Sequence, residues 1–359
     1  MHVSEILNEV LDGQRINQEE GLFLLRYSDL IELGEVANEI RFRKNPDPLV
    51  TYVVDTNPNY SNVCSIDCIF CAFYRHRDDE EAYTFTVDQL IEKFKRAAEQ
   101  GTTTVLLQGG VHPDLPFEYY LELVERTVKE VPQVCPHFFS TSEILGMSKI
   151  SGLTVEEVLQ QLWNKGLRTL PGGGAEILSN RVKKKVSHKK GSVEDWLSVM
   201  RIAHRIGYRT TATMMYGHLE RDEEIIEHLD SIRVLQDETN GFTAFIPWSF
   251  KPGNTPLEKI IPQYAPPNRY LRMIALSRIY LDNFPHIQAS WFSEGKKIGQ
   301  IALHFGGDDF GGILLEENVH AAANFVNTTN IDECRSLIRE AGFIPAQRTT
   351  LYEILHVDS

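Results

Sequence analysis

The chain has 359 residues, of which 42% are hydrophobic, 24% charged and 10% aromatic, a make-up that supports a sizeable core and excludes a disordered or low-complexity polymer. Fifty acidic side chains against 36 basic ones give a formal net charge of −14, and such a surface speaks against non-specific binding of nucleic acid or of an anionic membrane. No apolar run approaches the ~20 residues a bilayer requires, no basic and apolar leader opens the chain, and the five cysteines do not make a disulfide framework, so a cytoplasmic protein is expected.

In chain order, Ser4 to Arg43 read as short amphipathic helices ahead of the first strand, a helical cap over residues 1–48. From Leu49 onward one unit recurs: a strand-like run, a loop, a capped helix, a glycine. Strands are predicted near Leu49–Asp55, Thr103–Gln108, His137–Thr141, Leu167–Leu170, Arg209–Met215, Phe242–Trp248 and Ile287–Trp291, with a weaker eighth near Ile301–Phe305. Capping boxes mark helix starts at Thr86-Val87-Asp88-Gln89 and Thr154-Val155-Glu156-Glu157, with the related Ser192-Val193-Glu194-Asp195. Gly101, Gly166, Gly207 and Gly342 mark helix ends. Seven or eight strands alternating with helices predict an α/β fold, a (β/α) TIM-type barrel over 49–330. Residues 331–359 form an extension, a helix at Ile331–Ala341 and then a polar turn at Gln347-Arg348-Thr349-Thr350, expected to pack on the barrel wall.

On a barrel the active site lies at the carboxyl ends of the strands. The first such end carries Cys64, Cys68 and Cys71 in one loop. Three soft ligands at this density suit zinc or iron–sulfur, and the lack of a nearby fourth cysteine leaves one metal position open. His76 is the fourth ligand that a closed zinc site, in a non-catalytic binding module, would recruit. Cys135 and Cys334 stand alone and read as small buried hydrophobes.

The spacing Cys64-x-x-x-Cys68-x-x-Cys71, with aromatic Phe70 before the third cysteine, resembles the signature of the radical S-adenosylmethionine superfamily. The likeness extends through Leu107-Gln108-Gly109-Gly110-Val111-His112, Pro171-Gly172-Gly173-Gly174-Ala175-Glu176, Thr213-Met214-Met215-Tyr216-Gly217-His218 and Ala244-Phe245-Ile246-Pro247-Trp248 to Ile344-Pro345-Ala346-Gln347-Arg348. These runs are similar to the superfamily's futalosine-pathway branch; enzymes forming aminofutalosine or the deazaflavin FO share much of the pattern. The resemblance implies a [4Fe–4S] cluster on the three cysteines, S-adenosyl-L-methionine on its open iron, and a reducing electron donor such as flavodoxin or ferredoxin. It further implies reductive cleavage to a 5′-deoxyadenosyl radical and cyclisation of a small-molecule substrate, dehypoxanthine futalosine, in menaquinone biosynthesis.

Strand-end positions supply the remaining candidates. Gly109 and Gly110 match the place where the superfamily brings backbone close to the nucleotide's amino group, with Phe70 and Gln108 beside it. Glu143 and Glu176 follow the third and fourth strands as cofactor-binding carboxylates, unless they serve only helix starts. His218 follows the fifth strand and, with Glu143, is the candidate for accepting the substrate's ring proton. Tyr216, Trp248 and Asp309 are expected to wall the substrate pocket, and Arg348 to grip its carboxylate. The basic run from Arg181 to Lys190 reads as a solvated face or as a landing site for an acidic donor.

Overall fold

The structure, a computed structural model, describes residues 2–358. Three helices, Val3–Leu11, Gln18–Tyr27 and Leu30–Lys44, precede the first strand, as the apolar spacing predicts. They seat on the barrel's outer layer: a Cβ at Gly21 would lie 2.7 Å from the Tyr280 ring, and one at Gly34 would lie 2.6 Å from Phe305. Buried Arg41 fixes the entry to the first strand by donating to the carbonyls of Asn45, Asp47 and Leu49.

The strands are β1 (Leu49–Val53), β2 (Asp55–Thr56), β3 (Thr104–Leu107), β4 (Cys135–Phe138), β5 (Thr169–Leu170), β6 (Arg209–Tyr216), β7 (Phe242–Ser249), β8 (His286–Ile287), β9 (Asp309–Gly312), β10 (Ile344–Arg348) and β11 (Ile354–Val357). Strands β2 to β8 form a parallel sheet in chain order, and β1 lies between β9 and β10 in a second sheet. The two sheets join into one ring. Strand β1 runs on into β2 through Val54, whose carbonyl accepts from Thr103 and Thr104, while at the far edge Ala289 donates to Asp309 and Asp308 to Ile287. This is the parallel barrel predicted from the βα repetition. The capping boxes at Thr86, Thr154 and Ser192 all form. Gly101, Gly166, Gly207 and Gly342 all take positive φ between 85° and 121° at helix ends, a conformation cheap only for glycine.

Three expectations are corrected. The eighth strand is β9, not Ile301–Phe305, which is the end of the helix Lys296–Ala302 and a 3₁₀ turn Leu303–Phe305; Ile298, Ala302 and Phe305 recur at helical rather than alternating spacing. Strand β9, Asp-Phe-Gly-Gly, carries one apolar side chain and glycines that let neighbours come close, so it lacks a strand's usual pattern. The third strand ends at Phe138, and Thr141 already lies in the helix Thr141–Ser151. Finally, the tail does more than pack on the wall. Of the stretch read as a polar turn, Gln347 and Arg348 belong to β10, which pairs in parallel with β1 from Leu49↔Ile344 to Tyr52↔Gln347, and Thr350 reaches the Thr104 hydroxyl on β3 at 2.7 Å.

Where β8 meets β9, Asp308 is buried and accepts from the Ile287 amide, Asn45, Arg278 and His286. Burial pushes its carboxyl up, but the Arg278 charge and His286 outweigh that and hold it at about 2. A carboxyl lowered on folding contributes stability above its unfolded value, near 3.9, and loses that contribution as the pH falls towards 2. Asp308→Asn, which strands the fully buried Arg278, is expected to cost about 3–5 kcal/mol at pH 7 and to show a shallower acid-unfolding curve than the parent between pH 4 and 2. Chemical denaturation across that range measures both effects.

Candidate active site

The cysteine loop leaves the carboxyl end of β2 and is tied at both ends. Cys64 donates its amide to the Arg75 carbonyl and Arg75 donates to Asn62, while the Arg75 guanidinium gathers the carbonyls of Ala72, Phe73 and Tyr74. Gly110 is required here, because a Cβ would lie 2.1 Å from the Val63 carbonyl oxygen and 2.9 Å from the Cys64 Cβ. Ile69 donates to Val186 and accepts from Leu257, which fastens the loop to helix Asn180–Val186 on the opposite side.

Within the loop, the Ile66 amide donates to Cys64 Sγ at 3.4 Å, and the amides of Phe73 and Tyr74 favour the thiolate of Cys71 against a burial that pushes its thiol up. Burial likewise pushes the Cys68 thiol up to about 12, against the pull of the Lys190 charge. Three thiols with amide donors and a cation at hand, in a half-buried loop without a fourth cysteine, fit a thiolate-held iron–sulfur cluster with one iron open. The described residues contain no group of three His, Cys, Asp or Glu set to hold a metal ion. The fourth ligand of the zinc alternative, His76, is exposed and stands edge-on to Tyr74 at 5.6 Å.

From this loop the path leads inward through Phe70, Lys190 and Glu176. The Lys190 ammonium lies 5.1 Å above the Phe70 ring and 2.7 Å from Glu176, and Lys183 approaches the same carboxylate at 3.8 Å. Burial raises the Glu176 carboxyl, but the two ammonium groups reverse this and leave it lowered. Glu176 takes a positive φ of 45°, a strained conformation for a non-glycine residue, just after three glycines. Those glycines serve close approach rather than a phosphate nest: Cβ atoms would meet Thr211 O at 2.6 Å, Gln108 Nε2 at 2.3 Å and Ser142 Oγ at 2.7 Å.

Glu176 opens onto a cavity of about 290 Å³ inside the barrel, which Gln108, Trp248 and Arg348 also line. Its upper wall is aromatic: His320 stacks on Phe292 at 4.5 Å and lies 5.5 Å from Trp248. Its floor is polar and carries Asp55, His137 and Arg348. Four of the expected site residues, Gln108, Glu176, Trp248 and Arg348, therefore share one cavity, and Phe70 is linked to it through Lys190.

The remaining expected residues lie elsewhere, for identifiable reasons. Asp309 does not face the cavity; it is fully buried and accepts from Arg348 Nε and Nη2 at 3.0 and 2.7 Å, from Thr51 and from Tyr352. Tyr216 is fully buried in the core. Glu143 is the third residue of a capping box, accepting from the amide and hydroxyl of Ser140 and, at 3.1 Å, from the Gly109 amide. That carboxylate thus braces the Gly109-Gly110 turn from behind. His218 is buried with both ring nitrogens in use, Nε2 against the Met215 carbonyl at 2.8 Å and Nδ1 accepting the Leu219 amide at 2.7 Å. Neither His218 nor Glu143, the residues expected to accept the ring proton, lines the cavity, and both are held by hydrogen bonds within their own turns. His218→Ala is therefore expected to cost about 1–3 kcal/mol of stability through its lost hydrogen bonds while leaving product formed per deoxyadenosine released unchanged, a ratio read by chromatography.

Asp55, His137 and His320 are cavity residues that sequence reasoning passed over. The place of Asp55 at the end of the first strand was a signal for it; His137 begins a strand-like run and His320 lies in the one-turn helix Val319–Ala322 between β9 and β10, where no pattern marks them.

Residues 59–232 match the Radical SAM superfamily and residues 239–359 match the CofH/MqnC C-terminal region. The chain is 39% identical over 99% of its length to the cyclic dehypoxanthine futalosine synthase of Halalkalibacterium halodurans, of which it covers 95%. It is 42% identical over 98% of its length to the enzyme of that name from Streptomyces coelicolor, of which it covers 88%. Aminodeoxyfutalosine synthases and 5-amino-6-(D-ribitylamino)uracil–L-tyrosine 4-hydroxyphenyl transferases match at 34–42% identity. Among solved structures, methylornithine synthase superposes with a TM-score of 0.74 at 20% identity, over 95% of this chain and 97% of that one, which shows a shared barrel. The chain belongs to the radical S-adenosylmethionine superfamily and is an enzyme of that class. Within it, the chain carries the C-terminal region of the CofH/MqnC type, the segment that supplies β9, β10 and Arg348.

Proposed function

We propose that this enzyme cyclises dehypoxanthine futalosine to cyclic dehypoxanthine futalosine in menaquinone biosynthesis. The cavity is the observation that carries the reading: its lining brings together Glu176, which Lys190 links to Phe70 of the cysteine loop, the rings of Trp248, Phe292 and His320, and the Arg348 guanidinium, in keeping with a substrate that joins a sugar to a benzoate. Near-full-length likeness to two enzymes of that activity supports it.

Cys64, Cys68 and Cys71 would hold the [4Fe–4S] cluster, and Gln108, Gly109, Gly110, Glu176 and Phe70 would surround S-adenosylmethionine. Bound together, cluster and nucleotide supply a 5′-deoxyadenosyl radical able to take hydrogen from the sugar carbon C4′. The chain's own part is to orient and to shelter. Trp248, Phe292 and His320 offer ring faces to the aryl group. Arg348 spends three of its five N–H donors on Asp309 and the Thr349 carbonyl, which leaves two for the substrate carboxylate. Exposed Lys184, Lys185 and Lys189 follow Val186 and Asp67 around the outside of the cysteine loop, and suit an acidic electron donor of the flavodoxin or ferredoxin kind. Five free thiols suit the cytoplasm, and no helix among the described residues is long and apolar enough to cross a membrane.

Anaerobically reconstituted protein, offered dehypoxanthine futalosine, an enolpyruvyl benzoate ether, or ribitylaminouracil with tyrosine, is expected to turn over only the first. Colourless protein holding zinc without sulfide, or turnover of either other substrate, contradicts the proposal.

A further inference from the structure

Cyclisation by this route leaves a ring carbon carrying both the new bond and its hydrogen, and aromaticity returns only when that carbon loses a proton and an electron. The proton needs an acceptor facing the cavity. Its lining holds three carboxylates, Asp55, Glu176 and Glu317, and two of them are committed. Glu176 is neutralised by Lys183 and Lys190. Glu317 accepts the amides of Val319, His320 and Ala321 with both oxygens.

Asp55 differs. Its Oδ1 accepts the Leu314 amide at 2.8 Å, which fixes the carboxylate plane from one side. Gly312 stands over the other face, where a Cβ would lie 2.2 Å from Oδ2 and 2.3 Å from Oδ1. The glycine thus makes room for a carboxylate that could not otherwise occupy this strand end. Asp55 is 6% exposed as a whole residue and lines the cavity. We propose that Asp55, through Oδ2, is the catalytic base that removes the ring proton, an inference that rests on the cyclase reading above.

The step balances. A bond has formed between C4′ and the ring; the C–H bond at that ring carbon then breaks, and its proton goes to the Asp55 carboxylate. One electron of the C–H pair completes the aromatic sextet, and the other leaves to a one-electron acceptor of the iron–sulfur class. The groups facing Asp55 are the Arg348 guanidinium on β10 and the Asp309 carboxylate on β9. Burial raises the Asp55 carboxyl to about 6, against the pull of the Leu314 amide and Arg348, so it is ionised above that pH and still basic enough to take a proton near neutrality. The two imidazoles of the cavity, His137 and His320, are lowered by burial to about 3 and are weaker bases.

The test compares the parent with Asp55→Asn and Asp55→Glu, each with its cluster. Asp55→Asn is expected to release deoxyadenosine while cyclised product falls by ~10² to 10⁴, and Asp55→Glu to restore part of the yield. In the parent, product per deoxyadenosine falls as the pH drops through about 6, because protonated Asp55 accepts no proton; in Asp55→Asn this dependence disappears. A readout free of turnover is the infrared carboxylic-acid band of the chain without cluster, which titrates near that pH in the parent and is absent from Asp55→Asn. If Asp55→Asn keeps the parent's product ratio and pH profile, the assignment is overturned while the cyclase reading stands. If the parent itself makes no cyclised product, the cyclase reading fails instead.

Discussion

Alanine at Cys64, Cys68 or Cys71, one at a time, is expected to abolish iron–sulfur absorbance and with it all S-adenosylmethionine cleavage, whereas alanine at Cys135 or Cys334 leaves both intact. The first three thiols share a loop fastened at Cys64 to Arg75 and at Ile69 to Val186, so removing one would take away a ligand the cluster needs without disturbing the barrel. Cys135 begins β4 and packs by the Pro136 carbonyl, and Cys334 is fully buried under the last helix, Ile331–Glu340, where it fills space as a small apolar group. Its loss is a matter of packing, about 1 kcal/mol for so small a cavity. Iron and sulfide analysis of the five variants decides the point, and dependence of iron retention on Cys135 or Cys334 would overturn the three-ligand reading.

Arg348→Met is expected to have the second largest effect, on stability and on substrate alike. The substitution leaves the Asp309 carboxylate fully buried with only the hydroxyls of Thr51 and Tyr352 as partners, and breaking one side of such a pair costs about 3–5 kcal/mol. The cost falls on the seam where the C-terminal segment joins the ring, since Arg348 ends β10, Asp309 begins β9 and Thr51 lies in β1. Replacing both members by apolar residues, Arg348→Met with Asp309→Leu, is expected to recover much of the stability, because no charge is then stranded. It does not recover substrate affinity, which needs the guanidinium's two remaining donors. Thermal unfolding of the single and double variants, with substrate binding measured on each, separates the two roles.

The barrel was legible in the sequence because its helices announce themselves: Thr86, Thr154 and Ser192 cap where expected, and glycines close the helices that follow. The cysteine loop was legible because thiol spacing is itself chemistry. The inner surface was less so. A strand of two residues such as β5 or β8 has no period to read, and β9 is built from glycines chosen for what stands opposite them, Asp55 against Gly312 and Gln288 against Gly311. Strand ends rank residues by position along the chain, not by the direction in which side chains point. For that reason strand ends point to His218 and Glu143, which stand at the right height on the barrel but outside the cavity lining. Arg348 reads from the sequence as a candidate grip on the substrate carboxylate, but the carboxylate it holds in the structure is Asp309 of the same chain, a pairing between residues 39 positions apart that no local pattern reveals. Asp55 was passed over because an acid at a strand end is unremarkable until Gly312 is seen to clear a place for it.

Whether the cavity holds dehypoxanthine futalosine for cyclisation is read from the stoichiometry of a single anaerobic reaction. With reductant, S-adenosylmethionine and that substrate, one product molecule, lighter than substrate by two hydrogens, is expected for each molecule of deoxyadenosine and of methionine formed. Two electrons leave the substrate and two are taken up in cleaving the nucleotide, so nothing is recycled. Recovery of intact S-adenosylmethionine after turnover, or of a product that retains the adenosyl group, would contradict the cyclase reading.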